Sequence, residues 1–276
     1  MIKGMVGASA TGGLALEGLA TPAEAASGPS AFWPTKPGVR EIGHGDWTRL
    51  LTRYVSRGPD GVDRVDYGAW QGSTADRAAL GRYLSGLQVQ DPRQLTRQGQ
   101  MAYWANLYNA ETIRLVLDAW PIGSIQDIRP NPLAIGPWKT PTLSVASLRL
   151  SLDQIEHKIL RAGFKDPRIH YALNCASVSC PDLRRQAWTA AGLETDLDAA
   201  ARAYVNHPRG ARMVRGKLVV SSIYVWFKAD FGGSDAGVIA HLARYAAPGL
   251  KSQLATVSSV GGNAYDWKLN QTGGGR

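Results

Sequence analysis

The fold of this chain is constrained most by residues 98–120, the longest segment with unbroken helical periodicity. Apolar and small side chains recur there at the 3.6-residue spacing of an α-helix, and Pro121 ends the pattern. The segment therefore predicts one long helix with a buried face. That face carries Met101, Trp104, Ala105, Tyr108, Thr112, Leu115 and Val116.

The remaining patterns are shorter and of mixed type. A helix is predicted from Ser151, where Gln154 completes a capping box, and the proline-rich residues 128–141 predict an ordered loop or lid. The mixture predicts an α+β fold: a helix-rich single domain over residues 31–270 with a small antiparallel sheet, followed by a disordered tail at 271–276. Further predicted elements are helices at 46–55, 74–87, 193–205, 221–231 and 236–246, a strand or turn at 64–67 and a hairpin at 211–220.

Composition limits the class of protein. Hydrophobic residues make up 44% of the 276 residues and include nine tryptophans, which is enough for a substantial core in one large domain. The formal net charge is +9, but the arginines are dispersed, and no basic run or nucleic-acid reader motif accompanies them. We therefore expect no nucleic-acid partner.

Residues 1–26 differ from the rest of the chain. A short basic start precedes small, mildly apolar residues, and an Ala-x-Ala cleavage pattern ends at Ala25. We expect a signal peptide, a mature chain that begins near Ala26 and a periplasmic or secreted location. A disordered leader or a misplaced start codon is the alternative, because Glu17 interrupts the apolar stretch. No other segment has the ~18 to 20 apolar residues of a membrane helix, so we expect no stable membrane insertion of the mature chain.

Both cysteines lie in one short segment, residues 168–183. Its apolar and β-branched run at 169–173 predicts a short buried strand, followed by a polar turn that Pro181 closes. The strand would deliver Cys175 to a loop, where a thiol can meet a substrate. Cys180 is expected to be a packing or redox partner rather than the nucleophile. Neither cysteine has a partner at a metal-binding spacing, so we expect no metal and no cofactor.

Glu156 and His157 lie on the predicted helix from Ser151. At ~100° per residue, Glu156 falls at the edge of the apolar arc and His157 points well away from it. A partly buried carboxylate is either a structural anchor or part of a site, and His157 is either solvent-facing or a catalytic base. A thiol, an imidazole and a carboxylate are the groups that a cysteine nucleophile site needs. The short link at 163–167 predicts that Cys175 and His157 are neighbours.

Other polar groups bear on the same site. Asn109 and Asn106 lie on the shoulder of the buried face of the long helix, where an amide must find hydrogen bonds. Each either ties the helix to a loop or orients a catalytic imidazole. Strand alternation puts His170 and Cys175 on opposite faces, which makes His157 the first choice of base. The backbone amides that follow Cys175 are the predicted oxyanion hole.

Four motifs follow one another along the chain: AYWANLYN at 102–109, SLDQIEHKILR at 151–161, HYALNCASVSCP at 170–181 and YDWKLN at 265–270. Together they resemble the domain-of-unknown-function 547 family, over residues 65–270. The motifs are similar to those of a papain-like or transglutaminase-like thiol site in rearranged order, with the histidine before the cysteine. The resemblance implies Cys175 as the nucleophile, His157 as the base and Asn106 or Asn109 as the orienting amide.

Two functions of different classes follow from these residues. The first is an exported cysteine-dependent hydrolase or acyl transferase that acts on an amide or peptide-like bond of an unknown small-molecule or peptide substrate. The second is a non-catalytic domain that binds a ligand or a protein through its tryptophans and tyrosines. Thiol redox chemistry of Cys175 and Cys180 is disfavoured, since the Cys-x-x-Cys spacing is missing.

Overall fold

The computed structural model describes residues 28–273, so the predicted leader and the end of the predicted tail lie outside the described residues. Helices dominate and the sheets are small, which confirms the predicted α+β fold. Within the described range, no helix is long and apolar enough to cross a membrane. The α-helices are Gly45–Tyr54, Tyr67–Gly72, Thr74–Gln88, Arg97–Ala119, Ala162–Phe164, Ile169–Ala172, Leu193–Val205, Ile223–Trp226, Asp235–Tyr245 and Pro248–Leu254; Gln154–Arg161 is a π-helix, and Pro29–Phe32, Pro92–Gln94, Ile125–Asp127 and Lys228–Phe231 are 3₁₀-helices.

The long helix Arg97–Ala119 is confirmed and contributes many residues to the larger of two hydrophobic cores. Its N-terminus is capped by Thr96, whose Oγ1 accepts a hydrogen bond of 3.1 Å from the Gly99 N–H. Its central residues are buried on every side rather than on one face, which is typical of a helix that other elements surround. They include Tyr103, Trp104, Asn106, Leu107, Tyr108 and Asn109.

The β-structure is divided among three small sheets. Two are antiparallel pairs, and the third is the predicted hairpin extended by a parallel third strand, a long-range pairing that no local pattern indicates. Gly216 turns the hairpin with φ +75°, a conformation that favours glycine. The pairs are Val55–Arg57 with Asp63–Val65 and Leu143–Val145 with Leu148–Leu150; the three-stranded sheet is Ala211–Val214, Lys217–Ser221 and Val260–Ala264.

Most of the shorter predicted elements are also confirmed. Residues 128–141 form a loop without regular structure, and its Leu133 and Ile135 side chains are exposed. The helix predicted at 221–231 is divided into an α-helical and a 3₁₀-helical turn on either side of Phe227. The other confirmed helices are Gly45–Tyr54, Thr74–Gln88, Leu193–Val205 and Asp235–Tyr245.

The predicted strand at 169–173 is wrong, since Ile169–Ala172 is a short helix. Three successive backbone hydrogen bonds wind this segment locally, beginning with the Ile169 N–H to the Asp166 carbonyl at 3.2 Å. A short buried apolar run has no periodicity that separates strand from helix. The segment links the two cores, because Ala172 belongs to the larger one and Tyr171 to the second, which includes residues of the three-stranded sheet.

The C-terminal segment, residues 265–272, returns across the body of the protein. The Val65 N–H donates to the Asn270 carbonyl at 2.8 Å, and the Thr272 N–H donates to the Val65 carbonyl at 3.0 Å. Asn270 is buried, and its Oδ1 accepts from the Tyr67 hydroxyl at 2.8 Å. Ordered contacts therefore extend to Thr272, inside the segment that the sequence predicts as a tail.

Candidate active site

Both cysteines line a pocket of about 780 Å³ that the 128–141 loop borders. Glu156 and His157, which the sequence singles out, line the same pocket, and so does His170. The rest of the lining is mostly apolar. It includes an aromatic wall formed by Trp138, Trp226, Phe227, Tyr265 and Trp267, and the loop residues Pro130, Leu133 and Ile135.

Asn109 ties the long helix to the segment that precedes Cys175. Its Nδ2 donates to the Ala172 carbonyl and its Oδ1 accepts from the Asn174 N–H, both at 2.8 Å. Asn106 makes the same pair of bonds with the carbonyl and the N–H of Trp188, at 2.8 and 3.0 Å. Both amides are bonded to backbone rather than to an imidazole, so of the two roles that the sequence leaves open the structure shows the loop tie.

Asn174 connects this tie to the cysteines. Its Nδ2 donates to the Pro181 carbonyl at 2.7 Å, and its Oδ1 accepts from the Ala176 N–H at 2.9 Å. Ala176 has φ +61°, a left-handed conformation that costs free energy for an alanine. The Asn174 side chain therefore holds both ends of the turn that runs from Cys175 to Cys180.

Four of the backbone amides that follow Cys175 already donate to protein acceptors. Two of these acceptors are carbonyls of the C-terminal segment, so the turn is cross-linked to residues 265–272. An N–H that is bonded in the folded state does not stabilise an oxyanion unless that bond is lost. These four amides are therefore poor candidates for the predicted oxyanion hole, which stays a prediction. The bonds run from Ala176 to the Asn174 side chain at 2.9 Å, Val178 to Lys268 at 2.9 Å, Ser179 to Asp266 at 3.2 Å and Cys180 to Ser177 at 3.1 Å.

Cys175 and Cys180 are neighbours across this turn. The Cys175 backbone N–H donates to the Cys180 sulfur at 2.9 Å. The Cys175 sulfur lies 3.1 Å from the Tyr265 hydroxyl and 3.4 Å from the Ser177 hydroxyl. Cys175 is partly exposed whereas Cys180 is buried, so Cys175 is the thiol that a ligand in the pocket can reach.

These contacts set the acidity of the two thiols. Burial raises the pKa of Cys180, but hydrogen bonds from Cys175, Tyr265 and Ser177 lower it, to about 7 overall. The pKa of Cys175 is raised well above its usual range, first by the hydrogen bond with Cys180 and then by burial. The pair therefore shares one proton near neutral pH, with the negative charge on Cys180.

The helix from Ser151 presents both Glu156 and His157 to the pocket, because its central part, Gln154–Arg161, is a π-helix. The predicted capping box is confirmed: the Ser151 N–H donates to Gln154 Oε1 at 3.0 Å, and the Gln154 N–H donates to Ser151 Oγ at 3.2 Å. An α-helix, at ~100° per residue, would turn His157 away from the apolar arc. The π-helical turn contains more residues, and in it His157 lies outside the buried apolar positions and lines the pocket with its side chain 30% exposed.

Glu156 is a mostly buried acid with an unusual pKa. Its side chain is 16% exposed, and its Oε2 accepts from the Tyr108 hydroxyl at 3.2 Å. Burial raises the pKa of Glu156 to about 7; the Tyr108 hydrogen bond opposes this rise and the charge of Cys180 adds to it. The carboxyl can therefore take up or release a proton near neutral pH beside the two thiols.

His157 has partners other than the thiols. Arg161 Nη1 donates to its Nδ1 at 3.2 Å, and a carboxylate oxygen of Asp153 lies 3.7 Å from its Nε2. These partners assign the imidazole proton to Nε2, on the side of the carboxylate. Burial lowers the pKa of His157, so the ring is neutral at neutral pH and its basic nitrogen faces Arg161.

His170 faces the pocket, although strand alternation placed it away from Cys175. Its ring stacks on Phe227 with 4.5 Å between ring centroids, and its Nε2 donates to Asp230 Oδ2 at 2.7 Å. Arg161 binds the same carboxylate with bonds of 2.6 and 3.1 Å. Burial raises the pKa of Asp230, but these two partners hold it well below its usual range. The carboxylate therefore fixes the His170 proton on Nε2 and leaves Nδ1 as the basic nitrogen.

In the described part of the chain, neither imidazole is hydrogen-bonded to a cysteine sulfur. The structure thus brings Cys175 and His157 to one pocket without a direct bond between them. Tyr265 and Asp230 are site residues to which the sequence analysis gave no role. Tyr265 begins the YDWKLN motif at 265–270, which was a usable signal, whereas Asp230 lies in a segment without a motif.

These features define an α+β protein with a paired-thiol pocket, and comparison with known proteins finds a family whose model matches part of the chain. Residues 92–205 match the model of the family described as "Protein of unknown function, DUF547". This match covers less than half of the chain and supports the resemblance of that part to the domain-of-unknown-function 547 family. The match includes the long helix, the π-helix and both cysteines, whereas Asp230 and Tyr265 lie outside it. No curated protein and no solved structure matches the chain.

Asn109→Ala and Asn106→Ala remove equivalent ties at different places, which makes them matched variants. Each substitution leaves a buried N–H and a buried carbonyl without partners, at about 1 to 3 kcal/mol per group. We expect both variants to lose about 2 to 6 kcal/mol of unfolding free energy in urea titrations. Asn109→Ala alone should slow alkylation of Cys175 by iodoacetamide in the folded protein. Equal alkylation rates in the two variants would contradict the role assigned to Asn109.

The pKa of Glu156 predicts a pH-dependent stability. Because this pKa is about 7 in the folded protein and 4.5 ordinarily, the protonated carboxyl stabilises the fold below pH 4.5, and that contribution is lost as the pH rises through 7. Glu156→Gln stays neutral, so its unfolding free energy should exceed that of the wild type increasingly across this window, by up to about 3 kcal/mol.

Urea titrations at several pH values measure this difference. Glu41→Gln is the matched control, because Glu41 is an exposed carboxylate. A difference between Glu156→Gln and the wild type that does not change with pH would show that Glu156 is not a buried acid.

Proposed function

We propose that this pocket is the active site of a cysteine-dependent hydrolase or acyl transferase that acts on an amide or peptide-like bond. The observation that carries the proposal is the partly exposed Cys175 thiol in one pocket with Glu156, whose pKa is about 7. A thiol nucleophile needs a group that takes up protons and returns them to the leaving group. A carboxyl with this pKa does both at neutral pH.

The proposed reaction begins when the Cys175 sulfur attacks the carbonyl carbon of the substrate and its proton passes to Cys180. The tetrahedral intermediate expels the amine, which takes a proton from Glu156 and leaves the acyl group on Cys175 as a thioester. Water or a second nucleophile then attacks the thioester and gives a proton to the Glu156 carboxylate. The departing Cys175 sulfur recovers its proton from Cys180, so the site returns to its starting state.

Two other groups support the reaction. The Tyr265 hydroxyl, 3.1 Å from the Cys175 sulfur, is the proposed donor to the oxyanion, because four backbone amides of the turn are already bonded. His157 is the base that the family resemblance implies, but its basic nitrogen faces Arg161. We therefore assign proton transfer to Glu156 and keep His157 as the alternative that the experiment below tests.

The aromatic wall favours a substrate with an apolar or aromatic group near the scissile bond. Trp226 is 49% exposed, and its ring lies 4.8 Å from that of Tyr265 and 5.8 Å from that of Trp267. Such rings bind apolar ligand surface in a pocket. The same wall supports the second candidate function, a non-catalytic domain that binds a ligand or a protein. The two functions differ in whether Cys175 reacts.

Iodoacetamide labelling at neutral pH, followed by peptide mapping, tests the nucleophile without knowledge of the substrate. We expect Cys175→Ser to abolish labelling of the folded protein and Cys180→Ser to leave Cys175 as the labelled residue. Glu156→Gln should label at least as fast as the wild type, because it removes a negative charge beside the thiols. A rate that falls several-fold in His157→Ala would assign the base to His157 instead.

Circular dichroism of each variant verifies that the fold is retained. Wild-type labelling at Cys180, or labelling that requires denaturation, would refute Cys175 as the nucleophile and favour the binding function.

We also propose that the protein is exported to the periplasm or beyond, on the basis of the Ala-x-Ala pattern before Ala26. Residues 1–27 lie outside the described structure, so the support comes from the sequence. N-terminal sequencing of protein from fractionated cells should find a chain that begins near Ala26, outside the cytoplasm. Intact Met1 on protein from the cytoplasmic fraction would count against export.

A further inference from the structure

We propose that Cys175 and Cys180 are also a dithiol centre, which reduces small disulfides and closes to an intramolecular disulfide. The inference goes beyond acyl transfer, in which Cys180 accepts a proton and forms no covalent bond. It stands on the turn between the two residues, which folds back so that the Cys175 N–H donates to the Cys180 sulfur at 2.9 Å, while both sulfurs line the same pocket. The fold thus supplies the closeness that a Cys-x-x-Cys spacing supplies elsewhere.

The turn is fixed in this shape before any covalent bond forms. The Asp266 N–H donates to Ser179 Oγ at 2.7 Å. Arg209 Nη1 donates to the carbonyls of Val178 and Cys180, at 3.0 and 2.8 Å. A fixed turn keeps the second thiol at high effective concentration beside the first, which favours closure over a lasting mixed disulfide.

Exposure assigns different roles to the two sulfurs. Cys175 is partly exposed in the pocket, so it is the sulfur that meets an incoming disulfide. Cys180 is 4% exposed and is reached from within the turn. Cys175 is therefore the attacking residue and Cys180 the resolving residue.

The proposed exchange has two steps. The Cys175 sulfur attacks one sulfur of the small disulfide, forms a mixed disulfide and releases the first thiolate. The Cys180 sulfur then attacks the Cys175 sulfur and releases the second thiolate. One leaving thiolate takes up the proton that the cysteine pair loses, and the other takes a proton from Glu156, which regains it from solvent. The cysteines are thus oxidised to one disulfide and the small disulfide is reduced to two thiols.

Neighbouring groups assist both steps. Hydrogen bonds keep the pKa of Cys180 at about 7 in spite of burial, so the resolving sulfur is ionised in part at neutral pH. Glu156, which lines the same pocket, can protonate a departing thiolate because its own pKa is about 7.

Exchange with oxidised glutathione tests the proposal on the full chain. The reduced protein is mixed with the disulfide and the reaction is quenched with acid. Remaining thiols are trapped with N-ethylmaleimide, and the mass of the intact chain is measured by mass spectrometry. We expect the wild type to lose two hydrogens and to carry neither glutathione nor maleimide. Cys180→Ser should stop as a glutathione adduct on Cys175. Cys175→Ser should react at least about tenfold more slowly, because its remaining thiol is buried.

Ser85→Ala is the control, since Ser85 is an exposed residue of the helix Thr74–Gln88, and we expect it to close as the wild type does. The proposal is overturned if the wild type does not react, if it stops as a glutathione adduct on Cys175, or if it closes no faster than the chain unfolded in urea.

The Cys180→Ser variant separates this inference from the proposed acyl transfer. Iodoacetamide labelling of Cys175 in that variant tests the nucleophile alone, whereas closure of the wild type tests the pair. Retained labelling without closure would overturn the dithiol centre and leave the proposed function in place.

Discussion

The paired hydrogen bonds between Asn109 and the backbone on both sides of Leu173 are the constraint on which the site depends. They attach the cysteine segment to a helix that is itself buried on every side, so the position of Cys175 is set by the core. Asn174 passes this constraint to the turn, and the C-terminal segment fixes the far side. A buried amide that uses both of its polar groups this way is rigid, because any movement leaves unpaired groups.

Burial gives the pocket its chemistry as well as its shape. The same desolvation that raises the pKa of Glu156 would raise that of Cys180, were it not for the donors around that sulfur. Because two negative charges in one apolar pocket repel each other, ionisation of Cys180 makes ionisation of Glu156 harder. The thiol pair and the carboxyl therefore titrate together near neutral pH, and a proton that leaves one group has a nearby acceptor in the other.

Long periodic patterns predicted the fold well, and the site only in part. Helical spacing of apolar residues predicts the helix at 98–120, and Gly216 between two short β-type runs predicts the hairpin. The strand predicted at 169–173 was wrong because a short apolar run has no period, and this error ranked His170 below His157 as the base. Two further features have no local signal: the π-helical turn that brings His157 to the pocket, and the tertiary contact that brings Asp230 to His170.

The π-helix Gln154–Arg161 gives chain length a direct influence on chemistry. Its hydrogen bonds span one residue more than those of an α-helix, so the segment behaves as an accommodated insertion. A relative that lacked one residue between Ser151 and Glu156 could keep every letter of the remaining motif and still turn its acid by ~100°, away from the thiols. An alignment with this chain therefore has to settle where gaps fall in this helix before it transfers the role of Glu156, because a matching residue can point in a different direction.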